Sequence, residues 1–260
     1  MSKNREYTID IYRNGVTTAP GPEIFYLSAW EKEYNLYTYV FVVRSEEHTM
    51  LVDTGCGDIS LINQMLEKEF GGRITFDMPP EETFDRILDH AEIDPKKVDY
   101  VFISHLHHDH VSNVDLFQNA KIVVSRQGID AYMNEHRPNY YNEILFPSGP
   151  IGSILARPYD QVIYVEGSQE VLPGVRCHQV GGHTPGCMAV EIDTAQGAAV
   201  CTSDVAFMRE NVTEHHPVGL FYNLWECYDA YELLEERADI LLTSHDPGIL
   251  DATYPTGRVG

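Results

Sequence analysis

Basic side chains are scarce in this chain of 260 residues, which has 18 Lys and Arg against 40 Asp and Glu and a formal net charge of −22. A field of that sign repels the phosphates of nucleic acids and the anionic headgroups of membranes. We therefore expect neither a nucleic-acid partner nor a membrane partner, and we expect a small-molecule substrate instead.

The chain also has little that marks an exported or membrane protein. No apolar run approaches the roughly 18 residues of a membrane span, and the start at Met1–Tyr7 has no apolar signal-peptide core. The five cysteines are odd in number and include no Cys-x-x-Cys pair, which argues against a disulfide framework and against iron–sulfur chemistry. We expect a cytoplasmic location with reduced thiols. A phosphate-binding Gly-x-x-x-x-Gly-Lys loop is also missing.

Histidine, by contrast, is concentrated between Ser104 and His110, which read Ser-His-Leu-His-His-Asp-His. This stretch follows the apolar residues 98–103, whose β-branched and aromatic side chains indicate a buried strand. The end of a strand is a rigid place for a functional loop. Imidazole and carboxylate together suit zinc, and also iron, cobalt, nickel or manganese. The motif therefore predicts a metal site at a sheet edge.

Three further candidate ligands stand in the same context, which is a probable strand that runs into a loop of small residues. They are His183, Asp204 and His245. Taken singly, a histidine is more often hydrogen-bonded structure than a ligand, and an aspartate after a strand is often a helix cap. The repetition of the context is what favours a shared metal site.

The order of predicted elements points to the fold class. Each half of the chain supplies short strands first and helices after them, which favours two facing sheets with helices outside, a four-layer α/β sandwich. Without linkers or repeats, we expect one domain over residues 1–260. Residues 126–160 are rich in aromatic side chains with little periodicity, and we interpret them as an insertion or lid.

The motifs together resemble the metallo-β-lactamase superfamily, whose fold is a four-layer αββα sandwich. The resemblance rests on His-x-His-x-Asp-His at 105–110, on the three later ligand candidates in that order, and on the turn Asp53-Thr54-Gly55. Gly-His-Thr-Pro-Gly at 182–186 and Ser-His-Asp at 244–246 most resemble the N-acyl homoserine lactonase group. The similarity runs from about residue 36 to about residue 250.

The resemblance implies a ligand set and a mechanism. One metal would be bound by His105, His107 and His183, and a second by Asp109, His110 and His245, with Asp204 bridging both. Two divalent ions about 3.5–4 Å apart would share a hydroxide that attacks a substrate carbonyl. Zinc is the leading metal, with iron, manganese or cobalt as alternatives. Asp109 and Asp204 would be the catalytic carboxylates. Asp53 would orient the ligand loops without binding metal, and His108 either packs the loop or touches substrate or metal.

One position departs from the lactonase group. That group usually has a tyrosine three residues after the bridging aspartate, and this chain has Phe207 there. A phenyl ring cannot donate, and losing one such donor costs roughly 10²–10³ in rate. Either Tyr222 or Tyr228 replaces it in substrate binding, or the substrate differs. The surrounding aromatic segments would form an apolar substrate pocket or a homodimer interface.

The leading hypothesis is a dinuclear metal hydrolase that opens a lactone, a cyclic ester. The alternatives on the same scaffold are a thioesterase of the hydroxyacylglutathione hydrolase kind or another acyl hydrolase. A mononuclear iron sulfur dioxygenase is a hypothesis of a different class, and a metal-binding module without turnover is another.

Overall fold

The computed structural model describes residues 6–72, 74–134 and 142–260, so residues 135–141 of the predicted insertion lie outside it. The strands, numbered in chain order, are β1 (Thr8–Pro20), β2 (Glu33–Arg44), β3 (Thr49–Val52), β4 (Phe76–Asp77), β5 (Tyr100–Ile103), β6 (Lys121–Ser125), β7 (Val162–Val165), β8 (Ser168–Leu172), β9 (Val175–Gln179), β10 (Met188–Thr194), β11 (Gly197–Cys201), β12 (Ile240–Leu242) and β13 (Arg258–Val259).

The helices lie between and after the strands. They are α1 (Gly21–Ile24), α2 (Ile59–Phe70), α3 (Phe84–His90), α4 (His108–Val111), α5 (Arg126–Asn134), α6 (Ser148–Leu155), α7 (Arg209–Thr213) and α8 (Leu224–Arg237). None of the helices in the described ranges has both the length and the apolar character needed to cross a membrane.

The strands form two mixed sheets. The first has the order β13-β1-β2-β3-β5-β6-β7, with β4 paired to β1. Its strands β3, β5, β6 and β7 run parallel to one another. The second sheet has the order β12-β11-β10-β9-β8, and β11 and β12 are its parallel pair. Because parallel neighbours leave a sheet at the same edge, the loops after them meet there.

Apolar side chains lie on both faces of each sheet, and both faces are buried. The inner faces pack together through side chains such as Phe41 and Phe102 from the first sheet and Val190 from the second. The outer face of the first sheet packs against α3, α5 and α6, and that of the second sheet packs against α7 and α8. The four-layer α/β sandwich expected from the sequence is therefore confirmed.

Local sequence explains some elements and not others. Asp58 caps α2 by accepting the backbone N–H of Ser60 at 2.9 Å. Helix α4 begins at His108, inside the histidine motif. No local pattern in the sequence indicates β13. β13 has only two residues, too few for an alternating pattern, and it is held by its pairing with β1.

A bulge in β1 connects the sheet to the turn after β3. The register of β1 against β2 shifts between Arg13 and Val16, and the bulge turns the side chain of Asn14 into the interior, where it is fully buried. The Asn14 Oδ1 accepts the N–H of Cys56 at 2.6 Å, and its Nδ2 donates to the carbonyl of Glu82 at 2.8 Å. Asn14 thus fixes the turn 53–56.

Replacing Asn14 by alanine should lower the free energy of unfolding by about 1–3 kcal/mol, because it leaves buried backbone groups without partners. Urea denaturation measures this difference. Asn119→Ala is the matched control, since the exposed Asn119 makes one bond to the carbonyl of Lys96, and it should cost less than about 0.5 kcal/mol. Equal losses in the two variants would show that the Asn14 side chain does not support the turn.

Candidate metal centre

The chain brings the predicted ligands together at one edge of the sandwich. The His105 loop follows β5, Asp204 follows β11, and His245 follows β12. The His183 loop joins β9 to β10, and it is tied to the first sheet by a bond from the N–H of Met188 to the carbonyl of Ser104 at 2.9 Å. Loops from both sheets therefore meet where the strands end, as the repeated strand-to-loop context predicts.

The carboxylate of Asp204 lies at the centre of the cluster. Its Oδ1 is 3.2 Å from the Nε2 atoms of both His110 and His245. Its Oδ2 is 3.6 Å from the Nε2 of His105 and 3.5 Å from that of His183. The Nε2 of His245 also lies 3.3 Å from Oδ2. One carboxylate is thus surrounded by four imidazole nitrogens, as a carboxylate shared by two ligand groups would be.

The seven predicted ligands fall into two groups, and all of them are buried. Within each group the potential ligand atoms lie within 4.8 Å of one another. The first group is His105, His107, His183 and Asp204, and the second is Asp109, His110 and His245. The division matches the two sets that the family resemblance implies.

Hydrogen bonds to the outer ring nitrogens orient the imidazoles. The Nδ1 of His110 is 2.8 Å from Asp53 Oδ2. Backbone carbonyls hold two others: Tyr37 O lies 2.9 Å from His245 Nδ1, and Leu220 O lies 2.5 Å from His183 Nδ1. Each contact fixes the ring so that Nε2 points into the cluster, as partners of metal-binding histidines do.

Asp53 joins the turn after β3 to the histidine motif. Its two carboxylate oxygens accept the backbone N–H and the hydroxyl of Ser104, each at 2.7 Å. The neighbouring Thr54 donates its N–H to the carbonyl of His110 at 2.7 Å. Asp53 adopts φ +62°, a conformation that costs about 1–3 kcal/mol outside glycine. This turn holds both ends of the motif, which is the orienting role that the sequence suggested for Asp53.

The electrostatics of the cluster favour cations. Burial lowers the pKa of His105 and His107 well below the usual value, so their rings are neutral and can offer lone pairs. Burial also lowers the pKa of His110, but Asp204 and other carboxylates outweigh it and raise that pKa well above the ordinary value. Burial raises the pKa of Asp109, yet nearby imidazoles bring it to about 2. The field of these carboxylates therefore stabilises positive charge at the centre.

The donor set fits divalent ions. Five imidazoles and two carboxylates are the ligand types that zinc and related metals prefer. Among the described residues, the buried His105 Nε2 and Asp204 Oδ1 have no hydrogen-bond partner. Buried polar atoms without partners are rare unless an ion or water satisfies them, so these atoms are placed as ligands would be.

Aromatic rings enclose the cluster. The ring of Phe207 lies 5.5 Å from that of His183 and 5.2 Å from that of His245. Phe146, from the predicted insertion, stands edge-on to His107 at 4.7 Å. Phe207 therefore borders the centre without offering a donor, and the insertion packs directly on the histidine motif.

Tyr222 and Tyr228, the two tyrosines predicted to replace the missing donor, lie at different distances from the cluster. The N–H of Tyr222 donates to the carbonyl of Gly182 at 2.7 Å, which places this residue beside the His183 loop. Tyr228 lies on α8 with its ring 6.3 Å from that of Trp225. Within the part of the chain that the structure describes, no hydrogen bond or ring contact joins Tyr228 to the seven ligands.

Sequence reasoning missed several supporting residues. Ser104 contacts Asp53 and lies 3.2 Å from His105 Nδ1 through its hydroxyl. Its position between the strand and the first histidine was the only signal. Tyr37 and Leu220 act through backbone carbonyls, and a carbonyl leaves no trace in the identity of a residue.

Comparison with known proteins agrees with this geometry. The model of the metallo-beta-lactamase superfamily matches residues 34–245. The chain belongs to the metallo-beta-lactamase superfamily. The family resemblance carried by the histidine motif is thereby confirmed, and so is the fold class.

The similar curated proteins are lactonases. N-acyl homoserine lactonase AiiA of Bacillus thuringiensis subsp. kurstaki is 28% identical over 221 residues, which are 83% of each chain. An N-acyl homoserine lactonase of Bacillus cereus is 30% identical over 190 residues, 72% of this chain and 71% of that protein. Among solved structures, an N-acyl homoserine lactone hydrolase with the product N-hexanoyl-L-homoserine at its catalytic metal center aligns with TM-score 0.80 and 24% identity over 96% of this chain and 97% of that one. The chain and this solved structure therefore share a fold over nearly the whole length of both.

Replacing Asp53 by asparagine should weaken metal binding by about 10–100-fold, because an amide cannot accept all three hydrogen bonds around Ser104 and His110. Competition with a chelator gives the dissociation constants, and circular dichroism checks the fold.

The matched control is Asp58→Asn. Asp58 caps α2 outside the cluster, and asparagine caps a helix equally well. Its metal affinity should equal that of the parent chain. An unchanged affinity in the Asp53 variant would mean that the turn does not orient the histidine motif.

Proposed function

We propose that this chain is a dinuclear metal-dependent hydrolase that opens a lactone. The observation that carries the proposal is the Asp204 carboxylate, whose oxygens lie 3.2 to 3.6 Å from the Nε2 atoms of four imidazoles. The lactonase names of the curated relatives support the substrate class. A phosphate or nucleic-acid substrate fits less well with the net charge of −22.

We propose that His105, His107 and His183 hold one ion, that Asp109, His110 and His245 hold the other, and that Asp204 bridges them. Zinc suits this nitrogen and oxygen set best, with iron, manganese or cobalt as alternatives. Two divalent ions held by these residues would lower the pKa of a bound water towards neutrality and would polarise the carbonyl of the substrate.

The chain's own residues prepare the site for that chemistry. Asp53, Tyr37 O and Leu220 O hold their imidazoles in fixed orientations, which avoids reorganisation during the reaction. The low pKa of Asp109 keeps its carboxylate charged at every physiological pH despite burial, so it is available to orient a water. The Phe207 ring covers one side and excludes solvent.

The remaining expectations are also proposals. The net negative charge supports the proposal that the protein binds neither nucleic acid nor anionic membranes. The five cysteines are free and buried, which supports a reducing location such as the cytoplasm. A small molecule is the partner that fits the enclosed centre.

Purified protein should contain about two metal ions per chain and release acid from members of a panel of lactones. Elemental analysis and a pH-indicator assay measure both. Thioester turnover without lactone turnover would favour the thioesterase alternative. Metal-loaded protein that opens neither substrate would overturn the hydrolase proposal.

Asp204→Asn should reduce lactone turnover by more than about 100-fold, beyond the loss expected for residues that only support ligands. The neutral amide cannot balance two cations, so the metal content should also fall below two. Asp193→Asn is the control, because Asp193 pairs with Arg176 at 3.0 Å on the second sheet, away from the cluster. Comparable activity in the two variants would exclude a bridging role for Asp204.

Phe207→Tyr should raise kcat on lactones by roughly 10-fold or more, toward the 10²–10³ that one positioned donor contributes. The new hydroxyl would extend from a ring that already lies between His183 and His245. Phe221→Tyr is the control, since Phe221 packs on Tyr26 at 5.0 Å. A kcat that does not rise would indicate that another group already supplies the donor.

A further inference from the structure

The loop that carries His183 turns at two successive glycines. Gly181 and Gly182 adopt φ +64° and +78°, in the left-handed region that glycine enters without steric cost. Glycine has no side chain that could restrict the peptide before His183. The direction of that peptide therefore depends on contacts from other parts of the chain.

The start of α8 makes these contacts. The carbonyl of Gly182 accepts the N–H of Tyr222 at 2.7 Å and that of Asn223 at 2.9 Å. The N–H of Gly182 donates to Glu226 Oε2 at 2.9 Å. Both backbone polar groups of Gly182 are thus bound by residues 222–226, and the carboxylate of Glu226 is the side-chain member of this set.

The carboxylate of Glu226 fits into the space that the two glycines leave. A methyl group at Gly181 would collide with this carboxylate, and one at Gly182 would lie 2.9 Å from the Sγ of Cys227. Glu226 therefore packs over the turn instead of extending into solvent. The pair of glycines and the first turn of α8 form one closely fitted contact.

The segment before α8 also holds the ring of His183. The carbonyl of Leu220 lies at its Nδ1, and the N–H of Leu220 donates to the carbonyl of Glu23 at 3.2 Å. On the other side of the ring, Nε2 lies 3.1 Å from His107 Nδ1 and 3.5 Å from Asp204 Oδ2. A displaced Gly182 peptide would turn the ring about the Leu220 contact, and Nε2 would move within the first ligand group.

The second ligand group has supports in the first sheet instead. The Nδ1 of His110 is held by Asp53, which follows β3, and the Nδ1 of His245 is held by the carbonyl of Tyr37 in β2. The contacts of the His183 loop come from the start of α8. A change at Glu226 should therefore reach the first ligand group and leave the second one unchanged.

We propose that Glu226 is a positioning residue for His183. Its carboxylate fixes the Gly182 peptide and thereby sets the affinity of the first ligand group, His105, His107, His183 and Asp204, for its ion. Glu226 does this through the backbone and does not bind the ion. This inference rests on the proposed dinuclear centre, and it adds a residue outside every motif that the sequence indicates.

The test separates the hydrogen bond of Glu226 from its charge. Glu226→Asp keeps a negative charge in the first turn of α8, where it favours the helix, but its shorter side chain cannot reach the N–H of Gly182. Glu226→Gln keeps the length and an acceptor oxygen and removes the charge. Zinc(II) is titrated into each metal-free protein in competition with a chelator. Anomalous diffraction from crystals grown at limiting zinc gives the occupancy at each ligand group.

Glu226→Asp should bind zinc at the first ligand group about tenfold more weakly, the lower end of the loss for a group that orients a metal-binding histidine. The affinity of the second group should change less than about twofold, and Glu226→Gln should stay within about threefold of the parent chain at both groups. Glu226→Ala should behave as the aspartate variant does, and it carries the test if that variant does not fold.

Glu232→Asp is the matched control, because Glu232 is exposed on the same helix and the change is identical. Its two zinc affinities should equal those of the parent chain. The urea midpoint of each metal-free variant should also equal that of the parent, which separates a moved ligand from a destabilised fold.

Three results would overturn the inference. Glu226→Asp could bind zinc as the parent does, both ligand groups could weaken equally, or the glutamine variant could lose the affinity that the aspartate variant keeps, which would assign the effect to charge. If the parent chain binds no pair of zinc ions, the proposed function fails, and the inference fails with it. A parent chain with two ions and an aspartate variant with the same occupancies defeat the inference alone.

Discussion

The architecture depends on one buried carboxylate. Asp204 has lost nearly all contact with water, and an isolated charge in such a place is destabilised by several kcal/mol. The four imidazoles that face its two oxygens come from loops of both sheets, so they can stabilise it only if the sheet edges are held in register. The bond from Met188 to the Ser104 carbonyl makes that connection directly. Stabilisation of the Asp204 charge therefore depends on the packing that holds the two sheets together.

Two residues with strained backbone lie at the same edge. Asp53 and Ser203 both adopt left-handed conformations, at φ +62° and +60°, although neither is glycine. Ser203 precedes Asp204, and Asp53 bonds to the motif at Ser104 and His110. A left-handed backbone at a residue other than glycine persists only when contacts with the surrounding structure hold it in place. The inner core between the sheets fixes the strand that leads into each of these residues, through Val52 before Asp53 and Cys201 before Ser203.

The sequence indicates which side chains converge in the cluster but not what supports them, for a physical reason. A ligand needs a particular side chain, so His183 or His245 can be recognised from its residue type after a predicted strand. The supports of those same rings are the backbone carbonyls of Leu220 and Tyr37, and any residue provides a carbonyl. The same holds for β13, whose two residues depend on pairing with β1, and pairing over more than 200 positions has no local pattern.

The residues that border the cluster come from other segments than the cluster itself. The seven clustered side chains stand in the loops and the short helix that follow strand ends, where a change in one disturbs both sheets. Phe146 stands edge-on to His107, and the N–H of His108 bonds to the carbonyl of Leu145 at 2.9 Å. Phe146 and Phe207 carry no charge, so they take no part in balancing the carboxylate of Asp204. These two rings can therefore differ while Asp204 keeps its four imidazole neighbours.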